Sequence, residues 1–263
     1  MLTAKGYGFP PKKADKKNYA RILSRRAAIM DGYRNLAEQV REIHITAETT
    51  IESQILTGDI VESRLEAVIK GAEILSEEFS EDGSCVVTLR VPVFGVTDSL
   101  AKTVFKPVNK ENFPFPSENF SAKGNYTGLI IDCGDLDLNP VLLPVIRNAD
   151  NVSIYSYNNL DYDKVISNGM VSYVKKDNGS MLLSRKNFLS YTELLTAPSS
   201  EKNISGAGSN PLIIRAQKLS DDNSCPVVST SDADKILAEN QITHFLDNGA
   251  VVFTSYRIGG TRV

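Results

Sequence analysis

The sequence predicts an α+β protein in two parts. The first is an N-terminal helix–strand–helix–hairpin module, a three-stranded antiparallel sheet with two helices. The second is a mixed α/β domain. Three observations lead there. Apolar residues recur at three- and four-residue steps from Tyr19 to Ile43. The pair Asp82-Gly83 separates two strand-like runs, as in a hairpin. The second half mixes short apolar runs with one capped helical stretch.

In chain order, residues 1–14 read as an irregular lead-in, because Gly6, Gly8, Pro10 and Pro11 interrupt regular structure. The module is expected over 15–96. Its long helix places Tyr19, Ile22, Leu23, Ala27, Met30, Tyr33, Leu36, Ala37, Val40 and Ile43 on an apolar stripe facing the core, with Ser24, Arg25 and Arg34 on the wet side. Gly32 costs such a helix about 1 kcal/mol relative to alanine and allows a close neighbour. Ile45, Ala47, Thr49, Ile51 and Ile55 alternate with polar residues as a strand does. Ile60 to Ala72 gives a second amphipathic helix, and Ile74–Ser80 and Cys85–Val93 form the hairpin arms about Glu81-Asp82-Gly83-Ser84. A polar stretch with Lys106-Pro107, Phe113-Pro114 and Phe115-Pro116 marks 97–123 as a linker whose aromatics pack back on a neighbouring domain.

The second domain is expected over 124–263. Strands are predicted at Tyr126–Cys133, Val141–Ile146, Val152–Tyr157, Met170–Val174, Pro211–Ala216, Pro226–Ser229 and Ala250–Tyr256. A short helix is expected near Asp161–Ser167, a loop at Ser199–Asn210, and a Ser/Thr/Asp-capped helix over Thr230–Asn240.

The chain has 263 residues, 41% hydrophobic and 23% charged, which supports folded cores. With 29 basic and 32 acidic side chains its net charge is −3, the wrong balance for a dedicated nucleic-acid binder. No apolar run approaches the roughly 20 residues of a membrane-spanning helix. The paired cations Lys12-Lys13, Lys16-Lys17 and Arg25-Arg26 lie among acids and lack interleaved aromatics on the polar face, so they read as a solvated helix face.

Little of the sequence points to catalysis. Cys85, Cys133 and Cys225 are far apart and form no CxxC, so they read as small buried hydrophobes, with one disulfide open to them in an oxidising compartment. His44 and His244 fall in different domains, and neither has the setting of a catalytic base. The glycines of Ser205–Asn210 and Arg257–Gly260 lack phosphate-loop spacing. Asn-x-Ser/Thr matches at Asn119, Asn125, Asn151, Asn178 and Asn203 are what an Asn- and Ser-rich chain produces by chance. The one candidate metal set is Asp132, Asp135 and Asp137, carboxylates closely spaced after a buried strand; a turn before Asn139-Pro140 explains the same residues. No catalytic residue and no cofactor are predicted.

Two stretches, RRAAIMDGYRNLAEQVREIHITAETTIES and VIKGAEILSEEFSEDGSCVVTLRVPV, resemble the LPP20-type bacterial lipoprotein family. Arg26, Ala27, Ala28, Tyr33, Arg34, Asn35, Leu36, Ala37 and Glu38 fit its helix, and Ile69, Gly71, Ala72, Asp82 and Gly83 its hairpin region; Gly32 stands where alanine is commoner. YTGLIIDCGDLDLNPVLLPVI, ISNGMVSYVK, NPLIIRAQ and VVSTSDADKIL resemble longer members, so the likeness spans roughly 20–260. The first module is also similar to the N-terminal domain of flagellar assembly protein T.

The resemblance implies an exported protein of the periplasm, outer membrane or cell surface, with no signal segment in this chain and membrane attachment only through a lipid anchor. It implies no enzyme. The expected role is structural or in assembly, through envelope protein partners or self-association and without nucleic acid, with a flagellar setting among those implied. An edge strand, Ile45–Ile55 or Cys85–Phe94, is the expected contact. The alternative is a small-ligand or divalent-cation-binding module centred on the second domain.

Overall fold

A computed structural model describes residues 1–11, 17–117, 120–134, 136–177, 180–184 and 205–255. The described chain forms two compact units, one of residues 1–43 and 50–105, the other of 44–49 and the described residues from 106 onward. Both are α+β, and the first holds the three-stranded antiparallel sheet that the sequence predicts.

Its strands are β1 (Leu2–Gly8), β2 (Glu73–Phe79) and β3 (Cys85–Val91), in the order β1-β3-β2. The sequence places the third strand elsewhere. Residues 2–8, expected to be irregular, pair antiparallel with β3 from Leu2↔Val91 to Gly8↔Cys85. Gly6 and Gly8 do not break the strand, because they are the places where a helix backbone comes close. That helix is α1 (Lys17–Glu42). A Cβ on Gly6 would overlap the Ala28 carbonyl, and one on Gly8 the Ser24 carbonyl. Glycine inside a strand serves this purpose.

The burial of α1 follows from that close approach. Ser24, Ala28, Gly32, Leu36 and Val40, four apart, form the face turned inward. Leu2, Ala4, Val87, Leu89 and Val91 are buried in the same unit. The Ser24 hydroxyl donates to the Ala20 carbonyl at 2.9 Å, which lets a polar residue sit at the contact. The expected core stripe is therefore overturned in the first half of the helix: Tyr19, Ile22 and Met30 are exposed. The spacing of large apolar residues does not show which face a helix buries when that face is made of small residues.

Ile45–Ile55 is not a strand either. Residues 45–48 bend, Ile45 N–H bonding the Thr49 carbonyl at 2.8 Å, and α2 (Ile51–Leu56) follows. Thr50 caps it through the Ser53 N–H at 3.1 Å, and Ser53 returns a bond to the Thr50 N–H at 2.9 Å. That reciprocal cap outweighs a five-position alternation. The remaining elements here are α3 (Glu62–Lys70) and α4 (Leu100–Val104), the latter inside the stretch read as linker and capped by Ser99.

The second unit carries two sheets. One is built from β4 (Gly128–Asp132), β7 (Ser172–Asp177), β8 (Ser180–Ser184), β9 (Pro211–Arg215) and β12 (Val251–Thr254), in the order β8-β7-β12-β4-β9. β7, β12, β4 and β9 run parallel, and β8 is an antiparallel edge. β4 and β12 are buried along their whole length, as strands covered on both faces must be. The other sheet, β10-β11-β5-β6, uses β5 (Ile146–Asn148), β6 (Ser153–Tyr155), β10 (Lys218–Leu219) and β11 (Pro226–Val228). The predicted strand at Val141–Ile146 shrinks to β5, since Val141 is held by the Tyr173 hydroxyl, and Leu142 and Leu143 donate to the His44 and Ile45 carbonyls. Two helices complete the unit, α5 (Tyr162–Asn168) and α6 (Thr230–Thr243). Tyr256 and residues 199–204, parts of two expected elements, lie outside the described residues.

Residues 106–124 belong to this second unit, and those described are pinned along it. The Tyr157 hydroxyl donates to the Lys106 carbonyl at 2.7 Å, and Phe113 stacks on Tyr155 with ring centres 6.4 Å apart. Asp234 and Glu239, buried on α6, receive the N–H groups of Ser117, Lys123 and Gly124 at 2.7–2.9 Å. Buried carboxylates are stable only when solvated in this way by donors.

Candidate functional site

A three-stranded sheet has two edges, and here they differ. β1 is closed by its own helix: Asp31 accepts the Tyr7 N–H at 2.9 Å, and the Asn35 side chain donates to the Lys5 carbonyl at 2.8 Å. Arg34 and Asn35 hold the Asp31 carboxylate at 2.6 and 3.3 Å, which fixes the cap. Capped in this way, a strand resists pairing with another chain.

Among the described residues β2 has no such cover. Its outward backbone groups have no partner among the described residues. Six of its seven residues are exposed, including Ile74 and Leu75 at 42% and 52%. Its pairing with β3 shifts between Ile74 and Ser76, a bulge that turns Leu75 out of register. The strand is held from both faces. Arg90 bonds Glu73 at 2.8 Å, Arg25 of α1 bonds Glu77 at 2.7 Å, and the Arg21 guanidinium lies 4.3 Å from the Phe79 ring centre. The side chains therefore position the strand but leave its free edge open for another strand.

The edges expected from the sequence are Ile45–Ile55 and Cys85–Phe94. The first is not a strand, and β3, which starts at Cys85, is the central one. The sign that points to β2 is in the sequence: EILSEEF carries glutamate on both faces, which an internal strand does not tolerate.

The predicted acidic residues fall at and after the end of β4. Asp132 is buried and accepts the Gly134 N–H at 2.8 Å, a turn-forming bond. Asp137 is exposed. Asp135 lies outside the described residues. The structure thus gives Asp132 a local structural task.

Cys85, Cys133 and Cys225 are buried free thiols. Burial and the neighbouring Asp132 charge push the Cys133 thiol up to about 12, so it stays protonated and unreactive. Burial also raises Cys85, reinforced by Glu77. His44 is exposed; His244 closes α6 in the left-handed region and lies 3.6 Å from Asp247. Burial works to raise the Asp247 carboxyl, but hydrogen bonds from Asn240 and Lys110 and the charges of Lys110 and His244 bring it below the usual range. His244 therefore lies beside the Lys110–Asp247 ion pair at the end of α6.

Residues 10–91 match the LPP20 lipoprotein family, and residues 128–255 match the family defined by the second domain of Treponema pallidum Tp0624. No curated protein matches the chain. The LPP20 match covers α1, α2, α3 and β2 and ends at the last residue of β3. Residues 10–91 are thus similar to a family of bacterial lipoproteins.

Proposed function

We propose that this protein is a non-enzymatic envelope lipoprotein with a structural or assembly role, and that it works by accepting a strand at β2. The observation that carries the reading is the contrast between the two edges of one sheet: β1 is capped by Asp31 and Asn35, whereas β2 is open with Ile74 and Leu75 exposed. Strand addition obtains affinity from main-chain hydrogen bonds and selectivity from alternate side chains. The LPP20 match supports an envelope location; periplasmic or outer-membrane residence and a flagellar setting are readings to be tested in the cell.

In-cell photo-crosslinking tests the contact. A photoreactive residue at Leu75 should give a discrete adduct in the envelope fraction, while the same residue at exposed Tyr7, on the capped strand, should give none. Absence of an adduct at Leu75, or equal adducts at both positions, would sink the reading.

A further inference from the structure

The first half of α1 is apolar on the face that points away from its sheet. Tyr19, Ile22 and Met30 lie on that side at 57%, 52% and 69% exposure. Further along the helix the cover is better: Tyr33 is half-buried, with its hydroxyl donating to the Lys70 carbonyl at the end of α3. An apolar strip therefore meets water on the side that an ordinary amphipathic helix makes polar.

The strip itself holds one charged side chain, Arg26, and this half of the helix is basic up to Asp31, with Glu77 of β2 beside Arg25. From Lys17 to Met30 the helix contains Lys17, Arg21, Arg25 and Arg26 and no acid. Arg21 is stacked on Phe79 and Arg25 is paired with Glu77, but Arg26 has no partner among the described residues. Helical spacing puts Arg26 between Ile22 and Met30, so a free guanidinium sits inside the exposed apolar strip.

We propose that this face of α1 rests on a bilayer surface bearing anionic phospholipid headgroups. An interfacial helix needs apolar side chains to enter the headgroup–acyl boundary and cations to meet the phosphates, and this face offers both. A second copy of the chain fits less well, because apposed strips would bring one Arg26 against the other. The lipoprotein match spans this helix, which is consistent with a nearby membrane. The contact is separate from the β2 edge and stands or falls without it.

Vesicle co-sedimentation of the whole chain tests it, comparing phosphatidylethanolamine with added phosphatidylglycerol against pure phosphatidylcholine. Binding should need phosphatidylglycerol and weaken as salt rises. Arg26→Glu should weaken it by about thirtyfold, since it changes the charge by two at roughly 1 kcal/mol per charge near such a surface. Arg26→Lys should retain binding, and Met30→Asp should lose it with an unchanged melting temperature. Three results would overturn the proposal: no preference for the anionic vesicles, Arg26→Glu binding as the wild type does, or Met30→Asp abolishing a dimer and leaving vesicle binding intact.

Discussion

Gly6 and Gly8 are the residues on which the first unit depends most. Each lies where a side chain would run into the backbone of α1, so the strand and the helix meet with almost nothing between them. Gly6→Ala should cost about 3 kcal/mol, the upper part of the range for forced overpacking. Gly71, at the end of α3, offers the contrast. Its φ is −79° and an added Cβ would approach the nearest backbone atoms no closer than 3.4 Å. Gly71→Ala should stay within about 0.5 kcal/mol of the wild type. Chemical denaturation of the two variants checks both values. These glycines show why residue identity misleads at this scale. In the sequence they look like breakers of structure, and only the opposite helix, with Ser24, Ala28 and Gly32 facing them, shows their purpose.

Among the elements, the strands β2 and β3 and the turn between them are legible because the hairpin signal is local: Gly83 N–H bonds the Ser80 carbonyl at 3.0 Å, and Asp82 caps Ser84 at 2.9 Å. In the second unit, β4 and α6 are equally plain, one as an unbroken apolar run and the other through its Ser229 cap. What the sequence hides is non-local. The strand at residues 2–8 is defined by a partner at 85–91, far along the chain, and the segment at 44–45 is held by the Leu142 and Leu143 N–H groups, equally distant in sequence. The edge caps are non-local too, and they give a prediction. Asp31→Ala with Asn35→Ala removes both bonds to β1, costing about 0.5–1.5 kcal/mol for each. The greater effect should be on association: with β1 uncapped and β2 already open, copies can pair head to tail. Light scattering should show mass growing with concentration in the double variant beyond that of the wild type.

At the scale of the whole molecule, the α+β class and the likeness to LPP20 lipoproteins are both legible in the sequence, and the LPP20 match includes β2, the strand with the open edge. The candidate site is less legible. Asp132 stands out by its charge, yet its carboxylate accepts a turn N–H, while β2 carries three glutamates on an exposed strand and no motif. Catalytic and metal centres are marked by clusters of functional groups; an interaction edge is defined by backbone groups that lack partners, and its mark in the sequence is indirect, here glutamate on both faces of the strand. The difference between the two edges is what the proposed function rests on, and amide hydrogen exchange reads it directly. In the isolated protein, the Tyr7 amide should be protected through Asp31, while the outward amides of Glu73–Phe79 should exchange freely and become protected when the protein is returned to its envelope fraction. Outward β2 amides that are already slow in the isolated protein, or that stay fast in the envelope fraction, would contradict it.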